Sequence, residues 1–332
     1  MQKLLTIVVP TYNTEQYLPR CLDSLILDES LMNKVEVLVV IDGSPDNSYA
    51  VAKKYEEKHP QTFKVVNKEN GGHGSTINKG LELATGKYFK VLDSDDWFDS
   101  DVYQSFLFKL DSLDVDIVLT DYVKEYIFEG RKEVLSLSNQ TKDTIIELKN
   151  IDTTHHVDNL FSMARMTYKT EVLRTSRLSL PEKTFYVDTI YAMTPLFFSH
   201  NVIYLGLELY RYFIGREEQS MTLNNQIKNR LHIKKVFIHI SDKFIENDSN
   251  LSGNIKSYTI NFLTQMSSFG YILPIYLSSS EGYRESKEWH IKMKAYSFLK
   301  STKVSMLYNF LPYWAFSSLL KLREKVKSLV KY

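Results

Sequence analysis

The chain has 332 residues, 43% of them hydrophobic, with 41 Lys or Arg against 40 Asp or Glu and a formal net charge of +1. That is enough for one large domain with an appendage, or for two domains, and the balanced charge excludes a global field for nucleic acid. The single cysteine, Cys21, excludes an internal disulfide. It sits among Tyr17, Leu18, Leu22 and Leu25 at helical spacing, as a core residue rather than a nucleophile.

Met1-Gln2-Lys3 runs straight into a strand, which leaves no room for a signal peptide and makes a reducing cytoplasm the expected setting. Residues 5–9 form an apolar run ending at Pro10, and residues 35–41 form another. Neither alternates polar with apolar, which suits a parallel sheet covered on both faces. Between them, residues 14–27 carry helical spacing. A second helix is expected over 46–55, with Asp46, Asn47 or Ser48 as its cap, then a short strand over 63–66. The next helix, 75–84, places Ile77, Leu81 and Ala84 on one side, with Gly86 closing it. A strand over 88–92, a helix over about 100–113 and a strand over 115–120 complete a doubly wound α/β pattern.

In such sheets ligands bind at the carboxyl ends of the strands. Three ends here are polar: Thr11-Tyr12-Asn13, Asp42-Gly43-Ser44 and Asp93-Ser94-Asp95. The run Val91-Leu92-Asp93-Ser94-Asp95-Asp96-Trp97 carries three carboxylates within four residues. Such carboxylates repel unless a cation or donors hold them, and hard Mg²⁺ or Mn²⁺ ions share oxygen ligands with phosphates. The plainer alternative is an acidic turn capping the next helix. The loop Glu69-Asn70-Gly71-Gly72-His73-Gly74-Ser75 opens a helix whose free N–H groups suit an anion. Within it His73 is a candidate for a phosphate or acceptor contact, or for a structural role. No G-x-G-x-x-G follows the first strand and no P-loop motif is present, which argues against a dinucleotide fold and a P-loop NTPase.

Taken in order, Ile7-Val8-Val9-Pro10-Thr11-Tyr12-Asn13, Val40-Ile41-Asp42-Gly43-Ser44-Pro45-Asp46, Glu69-Asn70-Gly71-Gly72, Asn78-Lys79-Gly80 and Leu92-Asp93-Ser94-Asp95-Asp96-Trp97 resemble the signature of family 2 glycosyltransferases. The likeness is to bacterial members that build surface polysaccharides and teichoic-acid decorations. Tyr186-Val187-Asp188-Thr189 resembles the family's Glu-Asp segment, and Tyr210-Arg211-Tyr212 through Arg216 and Ser220-Met221-Thr222 its closing segment. The match covers roughly residues 4–222.

The resemblance implies a GT-A (Rossmann-like) domain over residues 1–225 with a mostly parallel sheet, a nucleoside-diphosphate sugar donor, UDP-linked, and Mn²⁺ or Mg²⁺. It implies inversion at the anomeric carbon and donor contacts at Pro10, Thr11, Tyr12, Asn13, Asp42, Gly72, Asn78, Asp93, Ser94 and Arg216. It places the metal on Asp95, with Asp93 on the ribose or on the metal through water, and makes Asp188 the general base. Local sequence supports the last role, because Phe185-Tyr186-Val187 and Ile190-Tyr191 would desolvate the carboxylate and raise its pKa. A helix cap or an ion-pair partner is the alternative for Asp188. Three departures stand out: Ile41 replaces the first of the usual paired acids, Ile77 an Arg, and Val187 a Glu. Lys68, Lys79, Arg216 or the metal are then left to meet the diphosphate charge. His155-His156, adjacent in sequence, cannot face one metal from a helix or strand and read as surface or acceptor-groove residues.

Residues 226–332 read as a helical appendage. From 291 to 332 there are nine Lys or Arg against one acid, Glu324, interleaved with aromatics. The uncharged run 304–320 is marginal for crossing a membrane, and the pattern fits a helix lying in the interface of anionic lipid. A helix packed on the catalytic domain, or a homo-oligomer interface, is the alternative. The expected activity is sugar transfer to a lipid-linked or surface glycan at the inner face of the plasma membrane. The competing reading is a non-catalytic nucleotide-sugar-binding assembly subunit. A sugar-nucleotide pyrophosphorylase would need a glycine-rich N-terminal loop, which Pro10-Thr11-Tyr12-Asn13 is not.

Overall fold

The computed structural model describes residues 3–154, 160–215, 222–251 and 253–330. His155, His156 and Arg216 lie outside the described residues. The chain divides into two compact units, residues 1–217 with 251–255, and residues 218–250 with 256–332.

The first unit opens with β1 (Leu5–Thr11), α1 (Leu18–Asp23), α2 (Glu29–Met32), β2 (Val35–Asp42), α3 (Ser48–Lys58), β3 (Phe63–Lys68) and α4 (His73–Leu83). It continues through β4 (Tyr88–Val91), β5 (Trp97–Phe98), α5 (Ser100–Asp111), β6 (Ile117–Tyr126), β7 (Arg131–Leu135) and β8 (Ile145–Glu147). It closes with β9 (Met166–Lys169), α6 (Thr170–Thr175), α7 (Val187–Met193) and β10 (Asn201–Ile214). The sheet order is β3-β2-β1-β4-β9-β6-β10-β5, with β7 on β6 and β8 on β10. As expected, this is a Rossmann-like, mostly parallel sheet in its N-terminal half: β1 pairs parallel with both β2 and β4, and β2 with β3. Antiparallel β9, inserted between β4 and β6, makes the rest of the sheet mixed.

The elements follow the sequence pattern with shifted ends. β1 is buried along its whole length, because helices cover both faces. On one face Leu5, Ile7 and Val9 join Leu18, Cys21, Leu22, Tyr103 and Phe106 in the core. On the other, α4 comes so close that a Cβ on Gly80 would lie 2.3 Å from Val8. The first helix is shorter than its apolar spacing predicts, starting only at Leu18. Asn47 is the N-cap residue of α3 without a side-chain cap bond, and Asp46 before it accepts from the Ser48 N–H through Oδ1 at 3.1 Å.

The second unit is helical: α8 (Leu223–Lys228), α9 (Arg230–Asn247), α10 (Gly253–Ser267), α11 (Phe269–Ile272), α12 (Ser279–Met293), α13 (Lys303–Phe310) and α14 (Tyr313–Val330). Its core sets Phe237 edge-on to Trp289 at 5.1 Å and to Tyr296 at 5.6 Å. Arg230 and Lys234 converge on the buried Glu285 at 2.6 and 3.1 Å. The uncharged run 304–320 is broken at Pro312 between α13 and α14. Among the described residues no helix is long and apolar enough to cross a membrane.

Candidate active site

The carboxyl ends of β1, β2 and β4 bring the three polar segments together. Behind β2, Asp42 is 2% exposed, and its carboxylate accepts from four protein donors. Oδ1 takes the Lys68 ammonium at 2.8 Å, the Gly71 N–H at 2.9 Å and the Ser75 hydroxyl at 3.3 Å, while Oδ2 takes the Gly72 N–H at 2.7 Å. These bonds fold the glycine loop onto the strand end. Asp42, expected to meet the nucleotide, is engaged here as the loop's organiser, and a nucleotide contact would have to displace one of those donors. Lys68 also donates to the Ser75 hydroxyl at 2.8 Å, and Lys79 pairs with Glu82 at 2.7 Å. Lys68 and Lys79, two of the candidate cations for the diphosphate, thus have carboxylate partners within the protein.

Gly72 caps α4 at φ +83°, a backbone that favours glycine, and a Cβ there would press on the Lys183 backbone at 3.1 Å. The loop then grips residues 180–183. The Lys183 N–H donates to the Gly71 carbonyl at 2.6 Å. Asn78 clamps Leu180 with both ends of its amide, donating to the carbonyl and accepting from the N–H, each at 2.9 Å. Asn78, expected to touch the sugar nucleotide, is engaged here with the backbone of Leu180. The clamp fixes the approach to α7, which Tyr186 enters in the left-handed region at φ +65°, and Asp188 follows in the first turn. A non-glycine residue held there is strained, which is common beside functional groups.

After β4 the acids separate. Asp93 is half-buried and shares a 2.8 Å hydrogen bond between Oδ1 and Nε2 of His73, the first residue of α4. Its main-chain N–H donates to the Tyr210 hydroxyl at 3.2 Å. Asp95 is half-buried, its carbonyl receiving Arg20 at 2.9 Å, and that guanidinium stacks 3.7 Å above the Trp97 ring. Asp96 turns inward and is fully buried. It accepts from the Tyr210 hydroxyl at 2.6 Å and the Phe213 N–H at 2.8 Å, tying the acidic loop to β10. Burial, with repulsion from Asp95 and Asp93, raises the Asp96 carboxyl well above the carboxylate range.

Ser94 is buried and shares a 2.9 Å hydrogen bond with Thr14, while Thr11 donates to the Val9 carbonyl at 3.0 Å. The Ser94–Thr14 bond ties the acidic loop to the loop after β1, while the Thr11 hydroxyl is engaged within β1. Pro10 is likewise buried. Tyr12, 51% exposed, presents its ring to solvent, and Asn13 sits at φ +53° with its N–H on Ser44 at 2.8 Å.

The electrostatics link His73, Asp93 and Asp188. Burial pulls the His73 imidazole down, but Asp93, then Asp188 and Asp95, overcome it and raise its pKa above the ordinary value. Asp188 is exposed to solvent in the first turn of α7. Desolvation by the surrounding protein raises its carboxyl above the ordinary value, against the pull of His73 and with the push of Asp93. Cys21 is buried behind the site, and burial, with the nearby acids, raises its thiol well above the usual range. It is a core residue, as its spacing implies.

Among the described residues no group of three His, Cys, Asp or Glu side chains forms a self-sufficient metal site. Asp93 and Asp95 offer hard oxygen donors, which suits an ion that completes its shell with phosphate oxygens and water. A cavity of about 350 Å³ nearby is lined by Trp97, Asp99, Glu125 and Arg211, and includes none of Asp93, Asp95 or Asp188. Its ionic groups are satisfied by one another, Arg211 bridging Asp99 at 2.8 Å and Glu125 at 3.2 Å.

A family profile described as "Glycosyl transferase family 2" matches residues 6–171. The chain belongs to this family. Among curated relatives, this glycosyltransferase-family chain is 30% identical over 218 residues to "Putative glycosyltransferase EpsH" of Bacillus subtilis (strain 168), covering 63% of the chain and 60% of EpsH. It thus spans less than two-thirds of that relative's length. Solved structures share the GT-A fold. TarS 1-349 of S. aureus aligns with a TM-score of 0.67 at 22% identity, over 86% of this chain and 80% of that one. The same protein in complex with UDP-GlcNAc aligns at 0.57 and 19% identity, over 90% and 93%. A mannosyltransferase, PcManGT from Pyrobaculum calidifontis in complex with GDP-Man and Mn²⁺, aligns at 0.53 and 15% identity, over 99% and 88%.

His73 is the residue the sequence leaves undecided, and its place directly after Gly71-Gly72, at the start of α4, is the available signal. The Tyr210 anchor lies in a segment that the motif match had reached without assigning it a task. Arg20 on Trp97 had no signal in the sequence.

Proposed function

We propose that the chain is an inverting glycosyltransferase that moves a sugar from a UDP-sugar to a hydroxyl of a lipid-linked or cell-surface glycan. The observation that carries this reading is the 2.8 Å hydrogen bond between His73 and Asp93 beside the Asp42-organised glycine loop, with Asp188 of α7 coupled electrostatically to both. Family membership and the UDP-GlcNAc complex of TarS support the donor class.

Asp188 takes the proton of the acceptor hydroxyl as it attacks the anomeric carbon from the face opposite the leaving nucleotide. A raised pKa makes it a stronger base than an ordinary carboxylate. Asp93 and Asp95 would hold Mn²⁺ or Mg²⁺, which when bound supplies positive charge to the departing diphosphate. His73 holds Asp93 in place through the hydrogen bond on Oδ1. The exposed ring of Tyr12 is suited to lie against the base. The setting that fits such an acceptor is the inner face of the plasma membrane.

The test is release of nucleoside diphosphate from a panel of UDP- and GDP-sugars with and without Mn²⁺, using the native chain and Asp95→Ala. Release that depends on Mn²⁺ and is abolished in the variant is expected. Binding of the sugar nucleotide without any release, across donors and acceptors, would instead mark a non-catalytic assembly subunit.

A further inference from the structure

The end of the second unit turns an apolar surface outward. Val304 of α13 and Phe316 and Leu320 of α14 are buried, with Tyr308 and Tyr313 packed on Phe316 at 5.3 and 6.1 Å. These contacts fix both helices to the unit by one face. At 3.6 residues per turn, Trp314, Ser318, Lys321 and Leu322 fall on the side of α14 opposite Phe316 and Leu320. Phe310 is 84% exposed, Trp314 74% and Leu322 60%, although the helices already have a core face to bury. Lys300, Lys303, Lys321 and Arg323 stand exposed in the same stretch. Residues 289–323 carry six Lys or Arg and no Asp or Glu.

We infer that this surface is a membrane-docking face for anionic lipid, with Phe310, Trp314 and Leu322 entering the headgroup boundary and the basic side chains meeting lipid phosphates. This deepens, and rests on, the reading of an enzyme that works at a membrane. Large aromatic and leucine side chains flanked by Lys and Arg are the composition of helices that lie in that interface. α13 has only 8 residues, and α14, with 18, is charged from Lys321 onward, so neither is suited to span a bilayer and the contact is peripheral. A second copy of the chain is a poorer occupant, because two surfaces rich in Lys and Arg would repel each other.

Vesicle co-sedimentation with the full chain tests this, using phosphatidylcholine with or without phosphatidylglycerol. Binding is expected only with the anionic lipid, with a blue shift of tryptophan emission that Trp314→Phe removes. It should weaken from about 0.01 to about 1 M salt, as the screening length falls from about 30 to about 3 Å. Lys303→Gln with Lys321→Gln should weaken partitioning about 30-fold, at about 1 kcal/mol for each basic side chain. Phe310→Ser with Trp314→Ser should abolish binding while diphosphate release from a soluble donor continues, which separates failure of this surface from failure of the enzymatic reading. Binding unchanged in these variants would overturn the assignment. So would a chain that ignores anionic vesicles, or one that forms a dimer dispersed by the Phe310 and Trp314 changes.

Discussion

Replacing Lys90 with methionine tests what the buried sheet tolerates beside the candidate site. Lys90 lies at 0% exposure in β4, three residues before Asp93, and its ammonium donates to the carbonyls of Ala164 at 2.9 Å and Met166 at 3.2 Å. Burial lowers its pKa from 10.5 to about 7. At about 1.36 kcal/mol per pH unit, that gap corresponds to about 5 kcal/mol of stability. The folded pKa lies below the unfolded one, so below about pH 7 both states hold the proton and the whole penalty stands. As pH climbs from about 7 toward 10.5 the folded state sheds its proton first, and the native chain gains stability. Lys90→Met removes the titration but leaves two carbonyls without their donor, at a cost of about 1–3 kcal/mol each. Near pH 7 the two effects largely offset. Above it, the native chain should gain on the variant by about 1.4 kcal/mol per pH unit. Urea unfolding across this range, followed through Trp97 in the same unit, measures the difference. A stability difference that does not change with pH would refute the claim that a buried, titrating ammonium sits in β4.

Asp188→Asn should lower kcat by about 10²–10⁴ with donor affinity kept, and loss of affinity at normal kcat would contradict its role as base. The native rate should fall as pH drops through a pKa above the ordinary carboxylate value. Because His73 pulls the Asp188 carboxyl down, His73→Ala should move that acid limb of kcat to higher pH. Asp42→Asn leaves Lys68 without its buried partner and should cost about 3–5 kcal/mol in unfolding experiments, together with donor binding. Normal stability with lost binding would instead make Asp42 a direct nucleotide contact. Asn78→Ala removes the clamp on Leu180, and about 1–2 kcal/mol of stability should go with slower turnover at unchanged donor affinity. Unchanged kcat would show that the clamp does not position Asp188.

The local pattern of the chain determined much of this architecture. Continuous apolar runs specify β1 and β2 as strands buried on both faces, and polar residues after them mark where a ligand would sit. The glycine loop is legible for the same reason, since Gly71-Gly72 ahead of a helical period permits only a tight turn into an exposed helix start. What each polar group does there was decided by partners far along the chain. Asn78 meets Leu180 across 102 residues, and Tyr210 reaches Asp96 across 114. No periodicity records such contacts. The three acids of Asp93-Ser94-Asp95-Asp96 look equivalent in sequence, yet β10 supplies donors to one of them and turns it inward. Lys90 sits in an apolar run, and its ammonium finds its acceptors in the carbonyls of Met166 in β9 and of Ala164 just before it. Strand identity follows from neighbours two to four residues apart, whereas the task of a carboxylate, amide or amine follows from whichever donors and acceptors the finished sheet brings within 3 Å of it.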